Sequence, residues 1–181
     1  EERPINNNSM APFTDAFTED LRPGSPKPGY SRFWATGSQS NVTKAWQFVA
    51  AYGILHRAVI AIIDEGFLLD TNGNPLGTDS DFPTIVAQYD FLANDYIADG
   101  FGAIGCGRVP NDCVWHGTGA AGVAAGVINN RRGAVGTGGF IADVMLFRRT
   151  GTKANHHQAV RTAVLWGADV VSMSYGGPCD E

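Results

Sequence analysis

The sequence predicts an α/β chain built on a mainly parallel sheet with crossover helices, and three observations lead there. The run Ala58 to Ile63 (AVIAII) is uninterrupted by polar residues, as a strand covered on both faces requires. Segments with helical spacing alternate with strand-like runs in the order helix, strand, long loop, helix, strand, helix, strand. Two of the helix-like segments stop at a glycine, Gly53 and Gly167, so each is cleanly separated from the strand that follows.

Residues 1–40 hold Pro4, Pro12, Pro23, Pro26 and Pro28, with Phe13, Phe17, Tyr30, Phe33 and Trp34 among them. Proline denies helix and ladder hydrogen bonds, so this part reads as an extended arm laid over a core by its rings, or as a loose terminus. The domain proper is expected over 41–181. There Asn41 caps a helix with Ala45, Trp46, Phe48, Val49 and Tyr52 on its apolar stripe and Gly53 as its stop. The strand Ala58 to Ile63 follows, closed by Asp64. Residues 66–115 are rich in Gly, Asn, Asp and Pro, and only TIVAQYDFL (84–92) offers another regular element.

Small residues dominate Gly117 to Gly126, which lets a helix lie close to neighbouring backbone. A strand is expected over Ile141 to Phe147. Then comes a helix opened by Asn155, carrying Ala159, Val160, Ala163 and Val164 on one stripe and ending at Gly167. A last strand, Asp169 to Tyr175, alternates Val171, Met173 and Tyr175 against Ser172 and Ser174. His56 is expected on the surface, and His156 and His157 at a solvated helix start.

With 181 residues, 44% of them hydrophobic and 17% charged, the chain has apolar material for one core. A net charge of −5 argues against nucleic acid or an anionic membrane as partner, since both demand a basic patch. No run approaches the roughly 20 apolar residues of a membrane span. The start EERPINNN lacks both an initiator Met and the pattern of a signal peptide, which suggests a processed or excised chain. Cys106 and Cys113 are spaced to close a small loop by a disulfide, whereas Cys179 has no evident partner in the chain. That odd count fits a secreted protein.

The stretch WHGTGAAGVAAG admits two chemistries. Gly117, Gly119 and Gly122 satisfy G-x-G-x-x-G, the spacing of a dinucleotide phosphate loop, and Asp143 lies near the distance of its ribose-binding acid. That loop needs a buried strand directly before it, and Pro110, Asn111 and Asp112 spoil one. Alternatively His116 is a base oriented by a carboxylate, and Asp64 closes a buried strand where parallel sheets gather functional groups.

At this point AVIAIIDEGF resembles the strand-aspartate motif of the subtilisin-like serine proteases, and HGTGAAGVAAG resembles their histidine helix. GADVVSMSYGGP and NNRRGAVGTGGFIADVMLF are similar to two further motifs of that family, in the same order. The resemblance implies a three-layer α/β fold that is incomplete, because the C-terminal part of the family's domain is absent. It implies that Asp64 is the orienting aspartate and His116 the general base of a serine endopeptidase. Ser174, Tyr175 and Gly176 would pair with an extended polypeptide substrate, and Thr150 to Asn155 would border the other side of that cleft. Gly117, Gly119 and Gly122 would then let the histidine's helix pack closely.

Some residues depart from the family pattern. Glu65 stands where Thr or Ser is usual, and Gly119 where the family has a second, non-catalytic histidine. The separation of Asp64 and His116 points to an insertion around 102–113. Arg131 and Arg132 occupy a loop that wraps calcium in many relatives, and two cations there oppose a structural calcium. No cofactor is needed for the chemistry and no metal ligand is assigned. None of Ser9, Ser25, Ser31, Ser38, Ser40, Ser80, Ser172 and Ser174 has the G-T-S-M-A-x-P context of the nucleophile. The chain alone is therefore expected to be inactive, with the serine supplied by a downstream segment or a separate chain. The alternative is a non-catalytic peptide-binding module. A parallel sheet cut short in this way is also expected to expose an apolar edge.

Overall fold

The computed structural model describes residues 42–53, 56–76, 82–100, 112–128, 135–149 and 152–176, with backbone only at 43, 44 and 112–115. The N-terminal arm, the Arg131–Arg132 loop and the Cys106–Cys113 pairing lie outside the described residues, as does Cys179.

Four strands, β1 (Ala58–Asp64), β2 (Ile85–Asp90), β3 (Ala142–Arg148) and β4 (Val170–Ser172), form one sheet in the order β2-β3-β1-β4. All neighbours are parallel, with Ala58 opposite Ala142, Asp64 opposite Arg148, and Ile60 opposite Val170. Among the described residues, three helices, α1 (Val42–Tyr52), α2 (Asp112–Ala125) and α3 (Lys153–Leu165), accompany them. The sequence-expected α/β architecture is therefore the observed one.

The unbroken apolar run of β1 follows from its position inside the sheet. Side chains alternate faces along a strand. Ala58, Ile60 and Ile62 join the core that includes Ala121 and Ala125 of α2. Val59, Ala61 and Ile63 join the core that includes Ala159 and Ala163 of α3. β3 divides likewise, with Ala142, Val144 and Leu146 on the α2 side and Met145 and Phe147 on the α3 side. The result is three layers, α2, sheet and α3. Burying a Leu, Ile or Phe side chain in either core contributes roughly 1.5–3 kcal/mol.

Some local expectations need correction. α3 begins one turn before its main chain reaches Asn155 in the way expected: Thr152 is the N-cap, and its Oγ1 accepts from the Asn155 N–H at 3.4 Å. The last strand is shorter than Asp169 to Tyr175. Beyond Ser172 the chain leaves β1, so that Tyr175 reaches the α3 side while Met173 stays 43% exposed rather than packed. α1 buries only Trp46 of its expected stripe, with the indole N–H donating to the Thr137 carbonyl. Phe48 and Tyr52 are 53% and 59% exposed and stack on each other at 4.5 Å. Gly53, at φ 80°, ends α1 as expected.

Candidate active site

Asp64 continues the even-numbered series of β1, so its side chain emerges on the α2 face at the C-terminal end of the sheet. It is buried, at 1% exposure. The carboxylate accepts from the Glu65 N–H at 2.8 Å and meets His116 Nδ1 with both oxygens, at 2.9 and 3.0 Å. A carboxylate can only accept, so Nδ1 carries a proton, and in the neutral ring Nε2 keeps the lone pair. The His116 side chain is 56% exposed, whereas Asp64 is sealed beneath it. The pair therefore has the polarity of an oriented base: a fixed anion below and an imidazole open to a reactant above.

α2 starts at Asp112, so His116 lies one turn inside the helix rather than at its beginning. What brings it to Asp64 is the next residue. A Cβ on Gly117 would collide with the Gly66 carbonyl oxygen and stand 3.1 Å from both Asp64 Cβ and Phe67 Cε1. Gly117, Ala121 and Ala125 are buried at a four-residue spacing, a stripe of small residues turned to the sheet. Thr118 Oγ1 accepts from the Leu68 N–H at 2.9 Å and pins the same contact. The close-packing role expected of three glycines belongs to Gly117 alone. Among the described residues, Gly119 and Gly122 have no neighbour within 4 Å of an added Cβ, because successive residues of a helix turn by about 100° and carry them off the packed face.

The dinucleotide reading fails on two placements. Gly117, Gly119 and Gly122 lie within α2, where interior N–H groups are committed to helical bonds and cannot cradle a phosphate. Asp143 sits opposite Val59 at the far end of the sheet from Asp64 and binds Arg57 at 2.8 Å.

Ser174 and Gly176 are exposed and Tyr175 is half-buried, just beyond β4. His156, expected to be solvated, instead bonds the Tyr175 hydroxyl through Nδ1 at 2.7 Å. His56 and His157 are exposed, as expected. The Arg149 guanidinium lies over the Tyr175 ring, 3.5 Å from its centroid, and approaches Glu65 at 3.7 Å. Burial pushes the Tyr175 hydroxyl above its ordinary value and the Asp64 charge adds to this, while Arg149 opposes it. Arg149 and His156 carried no local signal in the sequence, since their partners are brought in by β4 and the end of β1. Thr150 and Gly151, expected to border the cleft, lie outside the described residues.

Comparison with known proteins bears on the family of the chain. An extracellular protease of Xanthomonas campestris pv. campestris is 29% identical over 182 residues, a match covering 81% of this chain and 29% of that protein. The chain thus spans less than a third of that relative's length. Residues 56–181 match the model of the subtilase family, and this match includes every strand and both sheet-packing helices. With that match over most of its length, the chain belongs to the subtilase family.

Proposed function

We propose that this chain supplies the aspartate and histidine of a secreted serine endopeptidase. The observation that carries the reading is the contact of His116 Nδ1 with both oxygens of buried Asp64, at the C-terminal rim of a parallel sheet. In this reading Nε2 of His116 takes the proton of a serine hydroxyl as that oxygen attacks the peptide carbonyl, then returns it to the leaving amine. Asp64 holds the required tautomer and stabilises the imidazolium. The nucleophilic serine and the oxyanion donor come from a segment outside these 181 residues, in the same polypeptide or as a separate chain. The chemistry asks for no cofactor. The name of the bacterial relative, an extracellular protease, supports both the activity and secretion.

The substrate is a polypeptide in extended conformation, paired against Ser174, Tyr175 and Gly176. Among the described residues, none of 173–176 makes a backbone hydrogen bond to another, which suits them to receive an added strand. Neither nucleic acid nor a membrane is expected as a partner.

The test uses the longest polypeptide that carries this segment, assayed for peptide hydrolysis and for labelling by a fluorophosphonate. Asp64→Asn is expected to lower kcat by about 10⁴-fold, since an asparagine offers the imidazole the wrong hydrogen-bonding partner. The 181-residue chain by itself takes no label. Full activity in Asp64→Asn or His116→Ala would end the proposal, and stoichiometric labelling of the short chain would end its claim of a missing serine. A peptide-binding protein without the chemistry would bind extended peptides and show neither cleavage nor label.

A further inference from the structure

We infer that Arg149 is a positioning residue that holds the segment 174–176 ready for an extended peptide, an inference that rests on the proposed endopeptidase reading. β3 delivers Arg148 and Arg149 together at the rim, and strand alternation sends their side chains to opposite faces. Arg148 goes to Asp90, with Nη1 donating to Oδ2 at 2.6 Å. Arg149 goes to the α3 face and makes two separate kinds of contact. Its backbone N–H donates to the Asp64 carbonyl at 2.9 Å. Its guanidinium covers the Tyr175 ring at 3.5 Å and stands 3.7 Å from the Glu65 carboxylate.

Tyr175 is thereby held on several sides. The cation lies on its face, His156 Nδ1 meets its hydroxyl at 2.7 Å, and the His156 ring stands edge-on at 5.6 Å. The α3-side core lies beneath it. Among the described residues, the backbone around it has no comparable hold. β4 ends at Ser172, and no backbone hydrogen bond joins 173–176 to another described residue. A segment that must keep its N–H and C=O groups for a substrate has to be fixed through a side chain, and Tyr175 is the one that is anchored. Ordering the segment beforehand removes a cost from peptide binding, and that gain depends on the cation over the ring.

The two kinds of contact make the role separable from chemistry. Any residue but proline at 149 keeps the backbone bond to Asp64, so substitution of the side chain leaves the Asp64–His116 pair in place. In the longest active polypeptide, Arg149→Met is expected to raise KM for an extended peptide by about 3- to 30-fold, with kcat changing by less than about twofold. Arg149→Lys keeps a cation near the ring and falls between the two. In the same samples, backbone amide exchange at 173–176 quickens in Arg149→Met and less so in Arg149→Lys.

Unchanged KM together with unchanged exchange in Arg149→Met overturns the inference. So does a fall in kcat as large as the rise in KM, which would place the effect on the Asp64–His116 pair. If the unsubstituted polypeptide cleaves no peptide, the endopeptidase reading fails, and amide exchange alone decides whether Arg149 holds the segment. If Arg149→Met does not fold, Tyr175→Leu removes the ring from the other side of the contact. Faster exchange at 173, 174 and 176 then supports the inference, and unchanged exchange overturns it.

Discussion

Gly117→Ala tests whether the approach of α2 to the sheet is what creates the Asp64–His116 pair. The new methyl would strike the Gly66 carbonyl oxygen and press on Asp64 Cβ and Phe67 Cε1, each 3.1 Å away. Non-bonded carbons settle at about 3.5–4.0 Å and the overlap with the Gly66 oxygen is larger than that with either carbon, so α2 must retreat by roughly 1 Å at this point. Such a retreat carries Nδ1 from 2.9 Å to about 3.9 Å from Asp64 Oδ1, beyond hydrogen-bond range. Overpacking costs about 1–3 kcal/mol, and exchanging a helical glycine for alanine returns about 1 kcal/mol. Net stability should therefore fall by about 0–2 kcal/mol, while a 1 Å displacement of a catalytic base costs on the order of 100-fold in kcat. Urea denaturation of the longest polypeptide gives the first quantity, and the ¹⁵N shifts of the His116 ring report the tautomer. A variant about 1 kcal/mol more stable than its parent, with His116 still protonated at Nδ1, would refute the reasoning.

Gly119→Ala and Gly122→Ala meet no described residue and should each raise stability by about 1 kcal/mol, read from the same urea curves; a loss at either would show that the α2 surface is covered there. Asp90→Ala leaves Arg148 buried without its carboxylate and is expected to cost about 3–5 kcal/mol, and a change below 1 kcal/mol would show that the pair is not sealed from water. The Tyr175 hydroxyl is held neutral above the ordinary value of about 10, so its contribution is present below that pH and is lost as pH rises through its raised value. Tyr175→Phe, with nothing to ionise, should flatten the alkaline fall of the melting temperature, and an unchanged slope would contradict this. Val164, Leu165, Val170 and Met173 are exposed near the β4 side of the sheet. The 181-residue chain in isolation should accordingly bind a hydrophobic dye and self-associate, and a monomer that ignores the dye would overturn the expectation.

The parts of the fold legible in the sequence are those whose two faces are both decided by burial. β1 reads as an unbroken apolar run and β3 as one from Val144 to Phe147, because each has a helix layer on either side; Ala159 and Ala163 of α3 are buried as their spacing requires, whereas Val164 of the same expected stripe is 62% exposed. The stripe of α1 misleads because, of its members, Trp46 is the one fully buried, with a bond to Thr137 that lies 91 residues away, while Phe48 and Tyr52 stay exposed. β4 misleads because alternation of apolar and polar residues persists to Tyr175 while its ladder to β1 ends at Ser172. Asp64 and His116 were readable from motifs as separate residues. The contacts of Arg149, Tyr175 and His156 were not, since they depend on where the chain turns after β4, and no periodicity encodes a turn.

The charged row at the rim explains why Asp64 serves the imidazole. Three adjacent strands end at one level, where Asp90, Arg148 and Asp64 stand in register across β2, β3 and β1. Two carboxylates flank one buried arginine, and a guanidinium can satisfy either. Arg148 is committed to Asp90, which in turn accepts the N–H groups of Leu92 and Ala93 at 2.6 and 3.0 Å and so is fixed by its own turn. Asp64 is left with the Glu65 N–H and His116, and both of its oxygens face the ring. An arginine bound to Asp64 would neutralise the anion that steadies a protonated imidazole. Giving Arg148 a partner of its own keeps that charge available, so a contact on β2 with no part in the proposed chemistry helps determine what the aspartate on β1 could do in it.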